Sequence, residues 1–283
     1  MTKRPLIGAH CKGGLKGALE HAKEIGAQSI QVFIGSPRTW KRPSIGEREG
    51  AAFHESVVAA GLGPVFVHGN YLVNLASPST TFFERSLETL CLELASADHA
   101  GADGLIIHPG SSGPDPEEKG LERIIGAIQQ AFRQYEGKCR LVLEVCAGQG
   151  NTIGDRFEEI AYILEAMQHD ERLAVCWETC HLYNAGYDVS TVAGLRKTIQ
   201  QFEDIIGFEW LVAVHANDSK TPFHARRDRH ENIGEGHIGP EAFRRMLRHP
   251  KLKHLPWILE VPGFENEGPD QKNIQILKDL AGV

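Results

Sequence analysis

Short apolar runs recur along the chain, separated by longer polar stretches with helical periodicity. The runs cover residues 5–9, 29–33, 65–68, 104–108, 140–145, 173–177, 211–215 and 256–261. They show little alternation of apolar and polar positions, as expected of strands buried on both faces. Segments 81–100, 121–135 and 156–167 carry apolar residues at the 3.6-residue period of an amphipathic helix. No linker, low-complexity stretch or charge block interrupts the series. Eight such β/α units predict an α/β protein, a (β/α)8 TIM barrel filling residues 1–283 as a single domain. The alternative is a doubly wound open sheet, which carries a Gly-rich phosphate loop after its first strand. Gly13-Gly14 is too weak a signal for that loop.

The length of 283 residues fits a barrel of about 250 residues with modest insertions. Hydrophobic residues at 41% and charged residues at 24% give a globular balance able to bury a large core. No apolar run approaches the ~20 residues that span a membrane. Met1-Thr-Lys-Arg-Pro5 leads straight into a strand-like run, which reads as no signal peptide and a cytoplasmic protein. The six cysteines, Cys11, Cys91, Cys139, Cys146, Cys176 and Cys180, read as reduced core residues rather than a disulfide framework.

A barrel places its chemistry at the C-terminal ends of its strands. The third run ends at His68, the fourth at His108 and the fifth at Glu144. The sixth ends in Cys176-Trp-Glu178-Thr-Cys-His181, the seventh at His215, and the eighth at Glu260. A loop after the seventh carries Asp228-Arg-His230. Any one of these residues, taken singly, reads as a hydrogen-bonded or solvated side chain. Six consecutive strands ending in His or Glu do not, because isolated buried charges cost several kcal/mol each. Divalent cations remove that cost. Imidazole and carboxylate donors without thiolate suit zinc, with manganese or iron possible at one site. Nine candidate ligands exceed the roughly four that one zinc takes, so more than one ion is expected.

These motifs resemble the endonuclease IV family almost end to end. The resemblance is carried by Gly8-Ala-His10, Ser36-Pro-Arg-Thr-Trp40 and Tyr71-Leu-Val-Asn-Leu-Ala-Ser-Pro78. It continues through His108-Pro-Gly110, Ala147-Gly-Gln-Gly150, Thr179-Cys-His181 and Ala185-Gly-Tyr-Asp188. Asn217-Asp-Ser-Lys220, Asp228-Arg-His230-Glu-Asn-Ile-Gly-Glu-Gly236 and Leu259-Glu260 complete it. It implies a monomeric nuclease that cuts double-stranded DNA 5′ to abasic sites, using three zinc ions. His68, His108 and Glu144 match the ligands of the first ion. Glu144 is expected to bridge to the second, with Glu178, His215 and Glu260, while His181, Asp228 and His230 hold the third. Glu144, Glu260 and His108 are the implied catalytic positions. Arg38, Tyr71 and Leu72 are implied to enter the DNA, and Arg229 to lie near a phosphate.

The sequence departs from the family at Glu178, where the family carries Asp. Glu reaches one methylene further, roughly 1.5 Å, and ligand distances tolerate only about ±0.2 Å. Glu178 is expected to ligate with altered occupancy of its site. Val145, Cys146 and Val261 are smaller departures beside ligand positions.

Net charge is −7, which taken alone argues against a nucleic-acid partner. Three divalent cations would bring it to −1. Arg38, Lys41, Arg42, Arg226, Arg227 and Arg229 lie in two loops that a barrel sets on one face, a basic rim sufficient for steering. A sugar isomerase or epimerase on the same barrel is the rival reading. It needs only Glu144, Glu178, His215 and Glu260 around one metal, and leaves the other candidates without a purpose. A non-catalytic DNA-binding relative is the third.

Overall fold

A computed structural model describes residues 4–41 and 44–283. Arg42 of the expected basic rim and the first three residues lie outside the described residues. Eight parallel strands close a barrel: β1 (Leu6–His10), β2 (Ile30–Val32), β3 (Val65–His68), β4 (Gly104–Ile107), β5 (Arg140–Glu144), β6 (Leu173–Glu178), β7 (Leu211–His215) and β8 (Pro256–Leu259). Each pairs with its sequence neighbours, and β1 closes on β8 through Leu6↔Pro256 and Ala9↔Leu259. The TIM barrel expected from the pattern is the fold observed.

The helices pack outside, except the short one at the mouth that carries His181. Among the described residues they are α1 (Gly14–Ile25), α2 (Glu47–Ala59), α3 (Thr80–His99), α4 (Glu117–Gln134), α5 (Phe157–Ala166), α6 (Thr179–Ala185), α7 (Val192–Ile205), α8 (Pro240–Arg248) and α9 (Gln271–Ala281). The outward faces of the strands and the apolar stripes of these helices form the larger core. A second, separate cluster fills the barrel: Phe66, Ile106, Val142, Ala174, Cys176, Ala213 and Ile258. Apolar residues on both faces explain why the strands show no alternation in sequence. The interior is full. A Cβ added at Gly104 would lie 2.6 Å from Val142 Cγ2.

Side chains two apart on a strand share a face. Two residues beyond Phe66, Ile106, Val142, Cys176, Ala213 and Ile258 stand His68, His108, Glu144, Glu178, His215 and Glu260. The candidate ligands therefore continue the rows of the apolar filling toward the C-terminal mouth. In the β6–β7 pair a register shift between Val175 and Cys176 sets Glu178 opposite His215.

Two short antiparallel ribbons shape the mouth. Gly110–Ser111 pairs with Thr152–Ile153, and Asp218–Ser219 with His230–Glu231. The second returns the loop of residues 220–229 over the barrel. Its anchor is buried Asp218, whose carboxylate accepts from the amides of Ser219, Gly234, Ile238 and Gly239. A Cβ at Gly236 would lie 2.5 Å from Asp218 Oδ1, so the Gly-Glu-Gly turn packs directly on this clasp.

Candidate metal centre

Three groups of donor atoms assemble at the mouth, each with its atoms within 4.8 Å of one another: His68, His108 and Glu144; Glu144, His215 and Glu260; and Glu178, His181 and His230. Asp228 joins the last group, with Oδ1 3.3 Å from His181 Nε2 and 3.2 Å from His230 Nε2. The nine residues singled out in the sequence thus converge. Glu144 is fully buried at the centre, with Oε2 3.4 and 3.3 Å from His68 and His108 Nε2 and Oε1 3.2 Å from His215 Nδ1.

Glu178 is placed differently from the expectation that grouped it with Glu144, His215 and Glu260. It ends β6 and caps α6, accepting from the amides of Cys180 at 3.1 Å and His181 at 2.5 Å. Its near neighbours among the ligands are His181 and His230.

Four of the five imidazoles are oriented by one ring nitrogen. His68 Nδ1 bonds Gly69 O at 2.8 Å, His181 Nδ1 bonds Val145 O at 3.0 Å, and His230 Nδ1 bonds Glu260 O at 3.3 Å. A carbonyl only accepts, so these nitrogens carry a proton, and Nε2 is the nitrogen whose lone pair faces the centre once the ring is neutral. His215 is held the other way round, by Gln31 Oε1 at Nε2. Outer hydrogen bonds that fix the tautomer are what a metal-binding histidine requires.

Burial and charge oppose each other here. Burial alone would push the Glu144 carboxyl up, but the His215 and His108 rings hold it well below the usual range. Burial would lower His181, yet Glu178 and Asp228 hold it well above normal. Burial would likewise lower His230, and the Asp228 carboxylate beside it pushes it up to about 9. Burial also raises the Glu178 carboxyl, against the pull of His181 and His230. Without cations the centre is a knot of imidazolium–carboxylate pairs.

Those pairs leave atoms unsatisfied. Glu144 Oε2, His181 Nε2 and His230 Nε2 are buried with no hydrogen-bond partner. Unpartnered buried polar atoms cost about 1–3 kcal/mol each, so the donor set fits divalent cations. The cysteines take no part in these groups. All six are free, and burial pushes Cys11 and Cys180 up to about 12, so they stay as thiols.

The sequence reading missed three residues at the centre. Buried Gln31 donates to Glu260 Oε1 at 2.5 Å and lies 3.0 Å from His10 Nδ1. Asn217 accepts from the Glu260 amide at 2.8 Å and donates to Glu178 Oε1 at 3.0 Å. His10 ends β1, so the strand-end rule applied there would have found it; Gln31 sits within β2 and Asn217 beyond β7, where that rule does not look.

The four expected DNA contacts lie around the mouth. Arg38 is exposed, Tyr71 is 51% exposed and Leu72 is half-buried. Their loops are stitched together by Tyr71 N to Pro37 O at 3.0 Å and Asn70 Nδ2 to Thr39 O at 2.8 Å. The Tyr71 ring packs edge-on against Phe33 and His68 and stacks over His108. Arg229 is exposed on the facing loop, its Nη1 donating to Asp228 O at 2.6 Å. Arg226 is tied down instead, by Asp155 at 2.9 Å and Gly148 O at 2.8 Å.

The profile of the xylose isomerase-like TIM barrel family matches residues 19–280. The probable endonuclease 4 of Trichlorobacter lovleyi is 37% identical over 279 residues, 97% of this chain and 99% of that one. The probable endonuclease 4 of Halothermothrix orenii is 34% identical, over 96% of this chain and 99% of that one. The crystal structure of endonuclease IV from Thermus thermophilus superposes with a TM-score of 0.84 at 32% identity, covering 98% and 99% of the two chains. A D-tagatose 3-epimerase-like protein, at TM-score 0.72 and 17% identity, shares the fold alone. With identities of 34–37% across nearly the whole length, this chain belongs to the endonuclease IV family.

Proposed function

We propose that this protein is a zinc-dependent phosphodiesterase that nicks double-stranded DNA 5′ to abasic sites, leaving a 3′-hydroxyl and a 5′-deoxyribose phosphate. The observation that carries the reading is the convergence of three donor groups, two of which share Glu144, that leave three buried atoms unpartnered. His68, His108 and Glu144 would hold one zinc; Glu144, His215 and Glu260 a second; and His181, Asp228 and His230 a third, with manganese or iron able to replace one. When bound, the cations supply Lewis-acid activation of water and neutralise charge developing on the phosphate.

The chain's own residues support the rest. Glu144 belongs to two groups, so its two oxygens fix the spacing between them. Asp228, 43% exposed, and His108, 34% exposed, form the accessible edge of the centre where a phosphate can arrive, and Glu260 is 13% exposed. A cavity of about 240 Å³ lies over it, lined by Tyr71, His108, Asp228 and Glu260 among others. An abasic sugar has no base to stack, so turning it out of the helix into such a cavity costs less than flipping a normal nucleotide. Tyr71 and Leu72 are proposed to wedge into the vacated stack, Arg38 to enter from the minor groove, and Arg229 to approach a phosphate. The protein is proposed to act as a cytosolic monomer; no helix among the described residues is long and apolar enough to cross a membrane.

The isomerase reading needs one metal held by Glu144, Glu178, His215 and Glu260. Glu178 facing His181 and His230 weighs against it, as do five further donors in the same space. The test is a nicking assay on duplexes with and without one abasic site. Cutting confined to the abasic duplex, lost with chelator and restored by zinc, is expected. Cutting that survives chelation would refute the metal role, and equal cutting of both duplexes the substrate.

A further inference from the structure

The second cation of the proposed centre lacks the carboxylate that its place in the barrel suggests. Glu178 Oε1 accepts from Cys180 N at 3.1 Å and Asn217 Nδ2 at 3.0 Å, and Oε2 accepts from His181 N at 2.5 Å. A carboxylate has about four acceptor sites, so three donors leave one, on Oε2. That oxygen lies 3.7 Å from His181 Nδ1 and 3.9 Å from the unpartnered His230 Nε2. No ion-pair contact within 4.0 Å joins Glu178 to His215, although the two residues are register partners.

The cradle is rigid. The Glu260 amide is a donor, so Asn217 must turn its oxygen there and its amino group to Glu178. Asn217 N is in turn held by Thr179 Oγ1 at 2.9 Å. Two α6 amides fix the carboxylate from the other side, where the positive end of a helix favours it. Swinging Glu178 toward His215 would break three hydrogen bonds in a fully buried place.

Resting on the three-cation reading above, we infer that Glu178 serves the His181–Asp228–His230 cation, leaving the Glu144–His215–Glu260 cation one protein ligand short. The centre is therefore unequal. The cation at Glu144, His215 and Glu260 exchanges before the one at His181, Asp228 and His230, which is the most strongly held.

Metal counting on purified holoprotein, after brief chelator exposure and gel filtration, tests this without reference to activity. Glu260→Gln marks loss at the first of these two groups, and Asp228→Asn loss at the other. If Glu178 serves the same cation as Asp228, Glu178→Gln combined with Asp228→Asn loses no more metal than either alone. Glu178→Gln combined with Glu260→Gln loses both cations. The reverse pattern would overturn the assignment, as would wild-type protein that releases all its metal in one step. Should Glu178→Gln fail to fold by circular dichroism, Glu178→Ala, which also removes the carboxylate, enters the same pairs. Wild-type protein holding a single metal would instead overturn the proposed function itself.

Discussion

Gln31 and His215 fix each other's chemistry: Gln31 Oε1 lies 2.8 Å from His215 Nε2 while Gln31 Nε2 lies 2.5 Å from Glu260 Oε1. A carboxylate only accepts, so the Gln31 amino group must face Glu260 and its oxygen must face an N–H. His215 is thereby protonated at Nε2. Its Nδ1 lone pair is left for the space shared with Glu144 Oε1 at 3.2 Å and Glu260 Oε2 at 3.4 Å. Replacing Gln31 with Leu keeps the volume and removes the amide. Metal affinity at this group is expected to fall about 10–100-fold, read by chelator competition. Unchanged affinity would show that the tautomer needs no such partner.

Arg226 was expected in the basic rim that steers DNA, and the structure gives it another task. Its guanidinium bridges Asp155 and Gly148 O, while Gln149 Oε1 accepts from the Asp228 amide at 3.3 Å. The two loops are clamped together, and Asp228 rides on the clamp. Asp155 is buried and Arg226 half-exposed, so the pair lies between the surface and buried limits. Arg226→Gln should cost about 1–2 kcal/mol of stability, measured by denaturant midpoint. It should also loosen the cation beside Asp228. A drop in DNA affinity with metal content and midpoint intact would restore the steering role.

Arg38 makes no contact with the donor groups and stands exposed beside Tyr71. Arg38→Ala should keep its full complement of metal and bind abasic duplex more weakly by about 1–3 kcal/mol. Titration of a fluorescent abasic duplex into each protein reads this directly. Equal binding by the two proteins would remove Arg38 from the interface.

Metal uptake should release protons. In the metal-free protein His230 is pushed up to about 9 from a usual 6.5, and a ligand nitrogen must be unprotonated to bind. Zinc added at pH 7 therefore displaces protons, detectable by calorimetry in buffers of different ionisation enthalpy. The stability sign follows from the raised value. The His230–Asp228 pair contributes fully to the metal-free fold below about pH 6.5, and that contribution is lost as pH rises through about 9. Melting of the metal-free protein should fall across this window while the loaded protein holds. A flat profile for the metal-free protein would contradict the pairing.

The barrel was legible because two-sided burial writes strands as continuous apolar runs, and the ligand positions because barrel chemistry sits where those runs stop. Val65–His68 and Leu211–His215 were delimited to the residue. Other limits differ by one or two residues, as at β1, where the strand extends to His10. The partners were not legible. Whether an arginine is free or clamped depends on what tertiary structure brings to it, as Asp155 shows for Arg226. The direction of Glu178 depends on the register shift at Val175 and Cys176 and on the amides of α6. Neither leaves a trace in spacing or composition.

The rows inside the barrel place Gly104, Phe66 and Val142 beneath His108, His68 and Glu144. Floor and donor rim are thus one piece, and no hinge or spacer insulates the second from errors in the first. Variation on the outward faces of these strands can be absorbed by helices that shift. A methyl group added at Gly104 has nowhere to go but up the same strands, toward the donors.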